Sequence, residues 1–274
     1  MAQVVHRACP ACGRDNNSIP SMIFQDTDWP IKKCSNCEFV YLEDAPNYER
    51  LVDEFAWEKT SATEKIRRFT EEPVKQSISK RLKQFRRRWL KRDKLSKLIK
   101  AYFTEGNVVD IGCAGGGVLV GLDKLYTPHG IEISRVLASS ANEKVMPRGG
   151  FVVHDSALSG LGKFSDNYFT GVILSAFLEH EIEPKLLLTE VSRTLKPDGH
   201  CIIKVPNYSS LNRVIRGEQW CGYRLPDHVN YFTPSSLLRM CKDAGLSIKK
   251  FSFADHLPTS DNMWIVVSKA GAMR

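Results

Sequence analysis

The stretch Val108-Val109-Asp110-Ile111-Gly112-Cys113-Ala114-Gly115-Gly116-Gly117 decides the fold. A short β-favouring, mostly apolar run leads straight into clustered glycines, and residues 118–125 after them carry a helical pattern. Strand, glycine turn and helix in that order begin a βαβ unit. Glycines at such a turn let the backbone approach a ligand closely, and the helix N-terminus offers unpaired N–H groups to an anionic group. An acid, Glu132, follows 22 residues after Asp110, at the end of the next strand. A carboxylate at that place accepts both hydroxyls of a ribose.

Downstream of the glycines, β-rich runs at 128–133, 151–153, 170–174 and 201–205 alternate with helical patterns at 135–143, 184–195 and 234–244. With 107–111, and with 247–253 and 264–268 as closing strands, this predicts a doubly wound α/β domain over 105–274. Its sheet is seven-stranded and mostly parallel. Thr233-Pro234 places an N-cap and a proline at the start of the last helix, which ends near Gly245.

Two cofactors suit a glycine loop followed by an acid, and spacing separates them. A dinucleotide fold places glycines at relative positions 0, 2 and 5, but two residues after Gly112 stands Ala114. The pattern Asp110-x-Gly112-x-x-Gly115-x-Gly117 instead resembles motif I of class I S-adenosylmethionine-dependent methyltransferases, a Rossmann-like family. Other segments resemble that family in order. Asp155-Ser156 follows the third strand, residues 172–180 end in Leu178-Glu179-His180, and Leu195-Lys196-Pro197-Asp198-Gly199 and Val205-Pro206-Asn207 come after. Asp198 stands where glycine is commoner in the family. The resemblance implies S-adenosylmethionine as cofactor, held by Asp110, Gly112, Cys113, Gly115, Gly117, Glu132, Ile133, Asp155, Ser156, Ser175 and Phe177.

Cys9-Pro10-Ala11-Cys12 and Cys34-Ser35-Asn36-Cys37 form two C-x2-C pairs separated by 21 residues. Each pair suits a tight knuckle, and four thiolates complete a tetrahedral Zn²⁺ site with no open position, so the ion is expected to be structural. Residues 1–43 are read as a zinc ribbon with ligands Cys9, Cys12, Cys34 and Cys37. His6 is a nearby alternative ligand, with a surface histidine the favoured reading. Cys113, Cys201, Cys221 and Cys241 lack such spacing and read as buried small hydrophobes.

The segment after the fifth strand, residues 206–233, is long for such a connection and rich in polar and aromatic groups. His228 is the candidate general base, with Asp227 to orient or charge-support it. A helix-capping or lid histidine is the structural alternative. His180 is a second candidate, more readily read as bonded to that loop, and Tyr223 completes the catalytic set. His129, His154 and His200 fall in strand contexts and read as packing. Residues 226–234 also resemble a segment of one broad methyltransferase subgroup, and some zinc-containing sugar C-methyltransferases place a general-base histidine in a similar segment.

Residues 44–104 are charged, almost glycine-free and read as a helical connector, with helices at 48–57 and 60–68. Residues 55–59 resemble a recurrent segment of zinc-ribbon methyltransferases that covers the active site, and Tyr48 or Trp57 would pack there or wall a pocket. From Lys80 to Lys100 there are eleven Lys or Arg and one acid, a local net of +10, so the chain's +8 leaves 8 − 10 = −2 elsewhere. This reads as a solvated helix docked by Leu82, Phe85 and Trp89, with an anionic substrate, an anionic membrane surface or RNA as sharper alternatives.

No signal-peptide core and no apolar run of about 18 residues are visible, and eight unsecreted cysteines suggest a reducing compartment, hence the cytoplasm. The leading expectation is methyl transfer to a small-molecule or saccharide acceptor in a saccharide or natural-product pathway. Oxygen is the favoured acceptor atom, with carbon or nitrogen as alternatives. The competing readings are an RNA methyltransferase that grips phosphates through ribbon and basic helix, and a non-catalytic binding protein that keeps the cofactor fold.

Overall fold

The computed structural model describes residues 4–22, 29–46 and 94–271. The N-terminal part contributes four short strands, β1 (Val4–His6), β2 (Ile31–Lys33), β3 (Val40–Leu42) and β4 (Asp44–Pro46). Helix α1 (Lys94–Tyr102) precedes the glycine loop. Then follow β5 (Gly106–Ile111), α2 (Gly117–Val120), β6 (Tyr126–Glu132), α3 (Arg135–Val145), β7 (Val152–His154), α4 (Ala157–Leu161) and β8 (Phe169–Ser175). The chain continues through α5 (Pro184–Thr194), β9 (Leu195–Pro206), α6 (Leu211–Arg216), β10 (Asn230–Tyr231), α7 (Pro234–Asp243), β11 (Leu246–Lys250) and β12 (Asn262–Lys269).

Seven of these strands form one sheet in the order β11-β12-β9-β8-β5-β6-β7. Strands β5 to β9 pair in parallel, while β12 runs antiparallel to both β9 and β11. The expected mostly parallel seven-stranded sheet is therefore present. Sequence order reverses between β5 and β8, and in such sheets the crevice at that reversal, beyond the strand C-termini, receives the ligand.

The period-2 pattern of the strands supplies both core layers. Val109, Ile111, Val172, Leu174 and Ile203 pack with α5 residues Leu187, Leu188 and Val191 on one face. Val108, Ile173, Ile202 and Val266 pack with Leu98 and Ile99 of α1 and with Ala141 and Val145 of α3 on the other. Each such aliphatic side chain contributes about 1.5–3 kcal/mol on burial. Helix α7 begins as expected: Thr233 and Ser236 form a reciprocal capping box ahead of a Pro234 first turn.

Several boundaries differ from the sequence reading for local reasons. The helix expected over 118–125 stops at Val120, where Gly121 closes the turn on Val118, and Arg148 bonds the carbonyls of Leu119, Leu122, Asp123 and Tyr126. The turn at 195–199 lies inside β9 as a bulge: Leu195 faces Phe169 and His200 faces Gly171, five residues against two. The strand expected to reach Phe253 ends at Lys250, because Ser252 caps a 3₁₀ turn through Asp255.

In the connector, residues 44–46 are a strand and not helix, since β4 pairs with β1. Helix α1 docks through Leu98 and Ile99, with Lys94 paired to Asp255 at 2.9 Å. The rest of the predicted basic helix, with Leu82, Phe85 and Trp89, and the predicted segments around Tyr48 and Trp57 lie outside the described residues. Among the described residues, no helix is long and apolar enough to cross a membrane.

Strand β3 pairs on one side with β2 and on the other with β10, so the three-stranded sheet of the cysteine-bearing segment takes its third strand from the loop after β9. Lys32 and Glu43 form a buried ion pair at 2.7 Å within that segment. Phe39 stacks edge-on against Phe232 at 5.3 Å, and Cys9, Cys34, Cys37, Phe39 and Tyr41 belong to the same hydrophobic cluster as β5 and β8.

His129, in the middle of β6, packs among Phe151, Phe164, Tyr168 and Phe169. It is buried, and neither ring nitrogen has a hydrogen-bond partner among the described residues. Burial depresses its pKa from 6.5 to about 4. The folded state thus favours neutral imidazole, and between those two values the unfolded chain binds the extra proton. Its contribution is whole above pH 6.5 and drains away as pH falls toward 4. Urea unfolding of His129→Leu should lose less stability than wild type between neutral pH and the acid end of that window; parallel losses would dismiss this account.

Candidate functional site

The glycine loop lies at the reversal point of the sheet. Gly112 and Gly116 hold left-handed backbone at φ of 72° and 78°, and Ala114 between them lies at 46°. A Cβ on Gly112 would overlap the ring of Phe177, which arrives from the end of β8 through Ala176, itself at φ 59°. The loop thus has its glycine where another element presses on the backbone.

Two acids meet under this loop. Asp110, at the end of β5, is buried; loss of water and the nearby Glu132 carboxylate raise its pKa to about 8. Glu132 accepts the Ala114 and Ser134 N–H groups, each at 2.8 Å, one with each oxygen. Gly115 gives its carbonyl to Lys144 at 2.6 Å, Cys113 is buried against Gly130, and Gly117 opens α2. The Ile133 carbonyl accepts a bond from His154 Nε2 at 3.0 Å. Asp155 pairs with Lys163 at 2.7 Å, which lowers its pKa, and Ser156 caps α4. Ser175 ends β8 opposite Lys204. The sequence-predicted cofactor residues therefore gather along one edge of the sheet, at the C-terminal ends of β5, β6, β7 and β8.

The loop after β9 closes over the same edge. His228 is 5% exposed and its Nδ1 lies 2.8 Å from the Gly222 carbonyl. A carbonyl only accepts, so Nδ1 carries the proton and Nε2 keeps its lone pair. Burial, with the neighbouring His180 next, depresses its pKa to about 3. The imidazole is therefore neutral near pH 7. The His180 ring meets it edge-on, 4.7 Å between centroids.

Asp227 makes no hydrogen bond to the His228 ring, although its charge favours protonation of that ring. Its carboxylate lies 3.3 Å from His180 Nδ1 and 2.9 Å from Arg224, and its carbonyl accepts from the same His180 nitrogen at 2.9 Å. The turn at Pro226 points Asp227 toward the β8 loop, so the Gly222 carbonyl, and not Asp227, orients His228. Burial opposes protonation of His180, but Asp227 outweighs it and raises the pKa. Tyr223 follows Gly222 directly, and its hydroxyl donates to Tyr208 at 3.2 Å within an aromatic cluster holding Trp220 and Tyr231. Trp220 in turn donates to Asp261 at 2.9 Å.

Sequence reasoning missed Arg7. Its guanidinium, 5% exposed, donates to the carbonyls of Leu42, Ile182 and Val229 and to Asn230 Oδ1. Asn230 donates to the carbonyls of Leu178 and Glu181, and the Val229 and Asn230 N–H groups to that of Glu179. Only an arginine two residues before the first cysteine marks this in sequence, and its partners are remote. Beside it, a cavity of about 930 Å³ opens, lined by Val5, Arg7, Ser156, Leu158, Glu181 and Ile182 among others.

The four cysteines come together. Cys9 Sγ lies 3.5 Å from Cys37 Sγ and Cys12 Sγ 3.6 Å from Cys34 Sγ, and all four sulfurs fall within 4.8 Å of one another. Edges of about 3.8 Å are what a tetrahedral ion with metal–sulfur bonds of about 2.3 Å requires. Each pair sits on a matching knuckle: Gly13 N–H bonds the Cys9 carbonyl and Glu38 N–H that of Cys34, with φ of 74° at Gly13 and 59° at Glu38. Burial works against ionising Cys34, but N–H donors from Cys37 and Asn36 draw its pKa down to about 6. His6 is exposed and bonded to Asp44 and Asn17, and takes no part in the quartet. Cys113, Cys201 and Cys241 are buried singly and Cys221 is half-buried.

A model of the methyltransferase domain family matches residues 81–250, more than half of the chain. The chain belongs to the methyltransferase domain family. It is an S-adenosylmethionine-dependent methyltransferase. A ubiquinone biosynthesis O-methyltransferase of Cupriavidus pinatubonensis is 24% identical over 161 residues, 56% of this chain, which spans 65% of that relative's length. A SAM-dependent methyltransferase from Archaeoglobus fulgidus superposes with a TM-score of 0.51 at 21% identity, covering 68% of this chain and 98% of its own. The cyclase SpnF superposes with a TM-score of 0.50 at 19% identity, covering 66% and 82%. At such identities the superpositions show the fold alone, and a cyclase among them shows that the fold also serves other chemistry.

Gly112→Ala should force Phe177 out of its place and strain a left-handed residue by about 1–2 kcal/mol. S-adenosylmethionine binding, read by calorimetry, is expected to weaken by about tenfold or more, equivalent to about 1.4 kcal/mol. Unchanged affinity would show that Phe177 and the loop yield freely.

Proposed function

We propose that the protein methylates a hydroxyl oxygen of a small-molecule or saccharide acceptor, with His228 taking the proton. The observation that carries this reading is the His228 ring itself, neutral and fixed by the Gly222 carbonyl with Nε2 free, at the strand edge where the glycine loop lies. The cofactor supplies an electrophilic methyl group; the chain's part is to hold the acceptor in line with it and to accept the acceptor's proton. The depressed pKa keeps His228 unprotonated near neutral pH, so its Nε2 is available to take that proton as the oxygen gains positive charge. His180, held by Asp227, receives charge beside it.

Asp110 and Glu132 serve the cofactor's amino and ribose ends in this reading, with Asp155 and Ser156 toward its base. The O-methyltransferase relatives support oxygen as the acceptor atom. Saccharide and natural-product acceptors rest on the resemblance of residues 226–234 to sugar methyltransferases. The four-cysteine cluster is proposed to hold a structural Zn²⁺, its closed donor set leaving no position for substrate. The unit it stabilises spans 1–43, followed by a connector over 44–104 and the methyltransferase domain over 105–274.

The test uses S-adenosylmethionine labelled in the methyl group, with small-molecule, polysaccharide and RNA fractions as acceptors. Label should enter small molecules or polysaccharide. His228→Ala should bind cofactor as wild type does and lose about 100-fold or more of the transfer rate. Transfer at the wild-type rate removes His228 from the mechanism, and label in RNA overturns the acceptor class. Zinc removal by a chelator should lower the melting temperature, since structural zinc contributes folding energy directly; an unaltered melt would count against a bound ion.

A further inference from the structure

Behind His228 lies an arrangement that proton transfer alone does not use. One carboxylate oxygen of Glu179 and one nitrogen from each of the His180 and His228 rings lie within 4.8 Å of one another. Glu179 is 1% exposed, and its Oε2 has no hydrogen-bond partner among the described residues. The His228 Nδ1 proton is given to the Gly222 carbonyl and the His180 Nδ1 proton to the Asp227 carbonyl, with the Asp227 carboxylate close behind. That leaves Nε2 of His228 as a lone pair, with the unpartnered carboxylate of Glu179 and the His180 ring beside it. An unpaired buried acceptor costs free energy, and a carboxylate oxygen gathered with two imidazoles offers the donor set of a cation.

The support around the rings is of the kind that metal-ligating histidines require. Such a ring donates its other N–H to a carbonyl or carboxylate, which fixes the tautomer and keeps the ligating nitrogen basic. Gly222 does this for His228 and Asp227 for His180, while Arg224 holds Asp227 at 2.9 Å. Two imidazoles and one carboxylate suit a first-row divalent ion such as Zn²⁺ or Co²⁺ over Mg²⁺ or Ca²⁺. We propose that Glu179, His180 and His228 form a second cation site, distinct from the cysteine cluster, and that its occupation withholds His228 from proton transfer.

Binding forms three coordination bonds from lone pairs already present, and any proton on His180 Nε2 leaves to solvent. The inhibitory consequence rests on His228 being the base; the site itself does not. High free zinc or cobalt would therefore silence the enzyme without touching its cofactor loop.

The full-length protein, with its cysteine cluster first filled by Zn²⁺, is titrated with Co²⁺. One further equivalent should bind and give visible d–d absorption without thiolate-to-cobalt charge transfer. Glu179→Gln and His180→Ala should each weaken that binding at least about tenfold, and Asp227→Asn, through the outer partner, by about 10–100-fold. No uptake by wild type, uptake with thiolate charge transfer, or equal uptake by Glu179→Gln and His180→Ala overturns the site. Should His228→Ala keep full methyl transfer, the base assignment fails while the cobalt titration still decides the site.

Discussion

The guanidinium of Arg7 is the interaction through which the N-terminal segment and the candidate site hold together. Taking that cation out of water is costly, and burial lowers its pKa to about 10. The cost is offset by acceptors spread over three chain segments: the β3 carbonyl of Leu42, the β8-loop carbonyl of Ile182, and the Val229 carbonyl and Asn230 Oδ1 beside His228. A lysine has the charge but not the planar fork that meets several acceptors at once. The pairing of β3 with β10 and the bond from Arg239 to the Cys37 carbonyl reinforce the same joint. The cysteine-bearing unit is therefore part of the wall that places His228.

The two sides of the site use opposite electrostatic means. Under the glycine loop, Asp110 and Glu132 bring two buried acids together, and Asp110 is driven toward protonation. Such a pair favours a ligand with cationic and hydroxyl groups. On the other side, His228 presents a neutral lone pair kept in register by the Gly222 carbonyl. In the proposed reaction, methyl transfer from a sulfonium to a hydroxyl moves positive charge from the first region toward the second, which suits a neutral imidazole at His228.

Much of this was legible in the residues, because it depends on local chemistry. Gly112 could be read since a left-handed turn under Phe177 tolerates little else, and the C-x2-C pairs since each knuckle is closed by bonds four residues apart. Thr233-Pro234 marked a helix start for the same reason. What could not be read was set by remote partners. The pairing of Asp227 with His180 and not with His228 depends on how the β8 and β9 loops approach each other. The role of Arg7 depends on carbonyls, which every residue possesses and no sequence pattern marks. The bulge in β9 and the early stop of α2 were likewise fixed by neighbours, Gly171 in one case and Arg148 in the other.

The pairing of β3 with β10 also orders events during synthesis. Chains emerge N-terminus first, so the cysteine knuckles and β2–β3 are complete long before Asn230 and Tyr231 leave the ribosome. Until then one edge of β3 is open and the Arg7 donors lack the Val229 carbonyl, 222 residues later in the chain. An uncovered strand edge invites pairing with other chains. The segment that completes the candidate active site is also the one that covers this edge, so the open strand is closed in the same step that brings His228 into place.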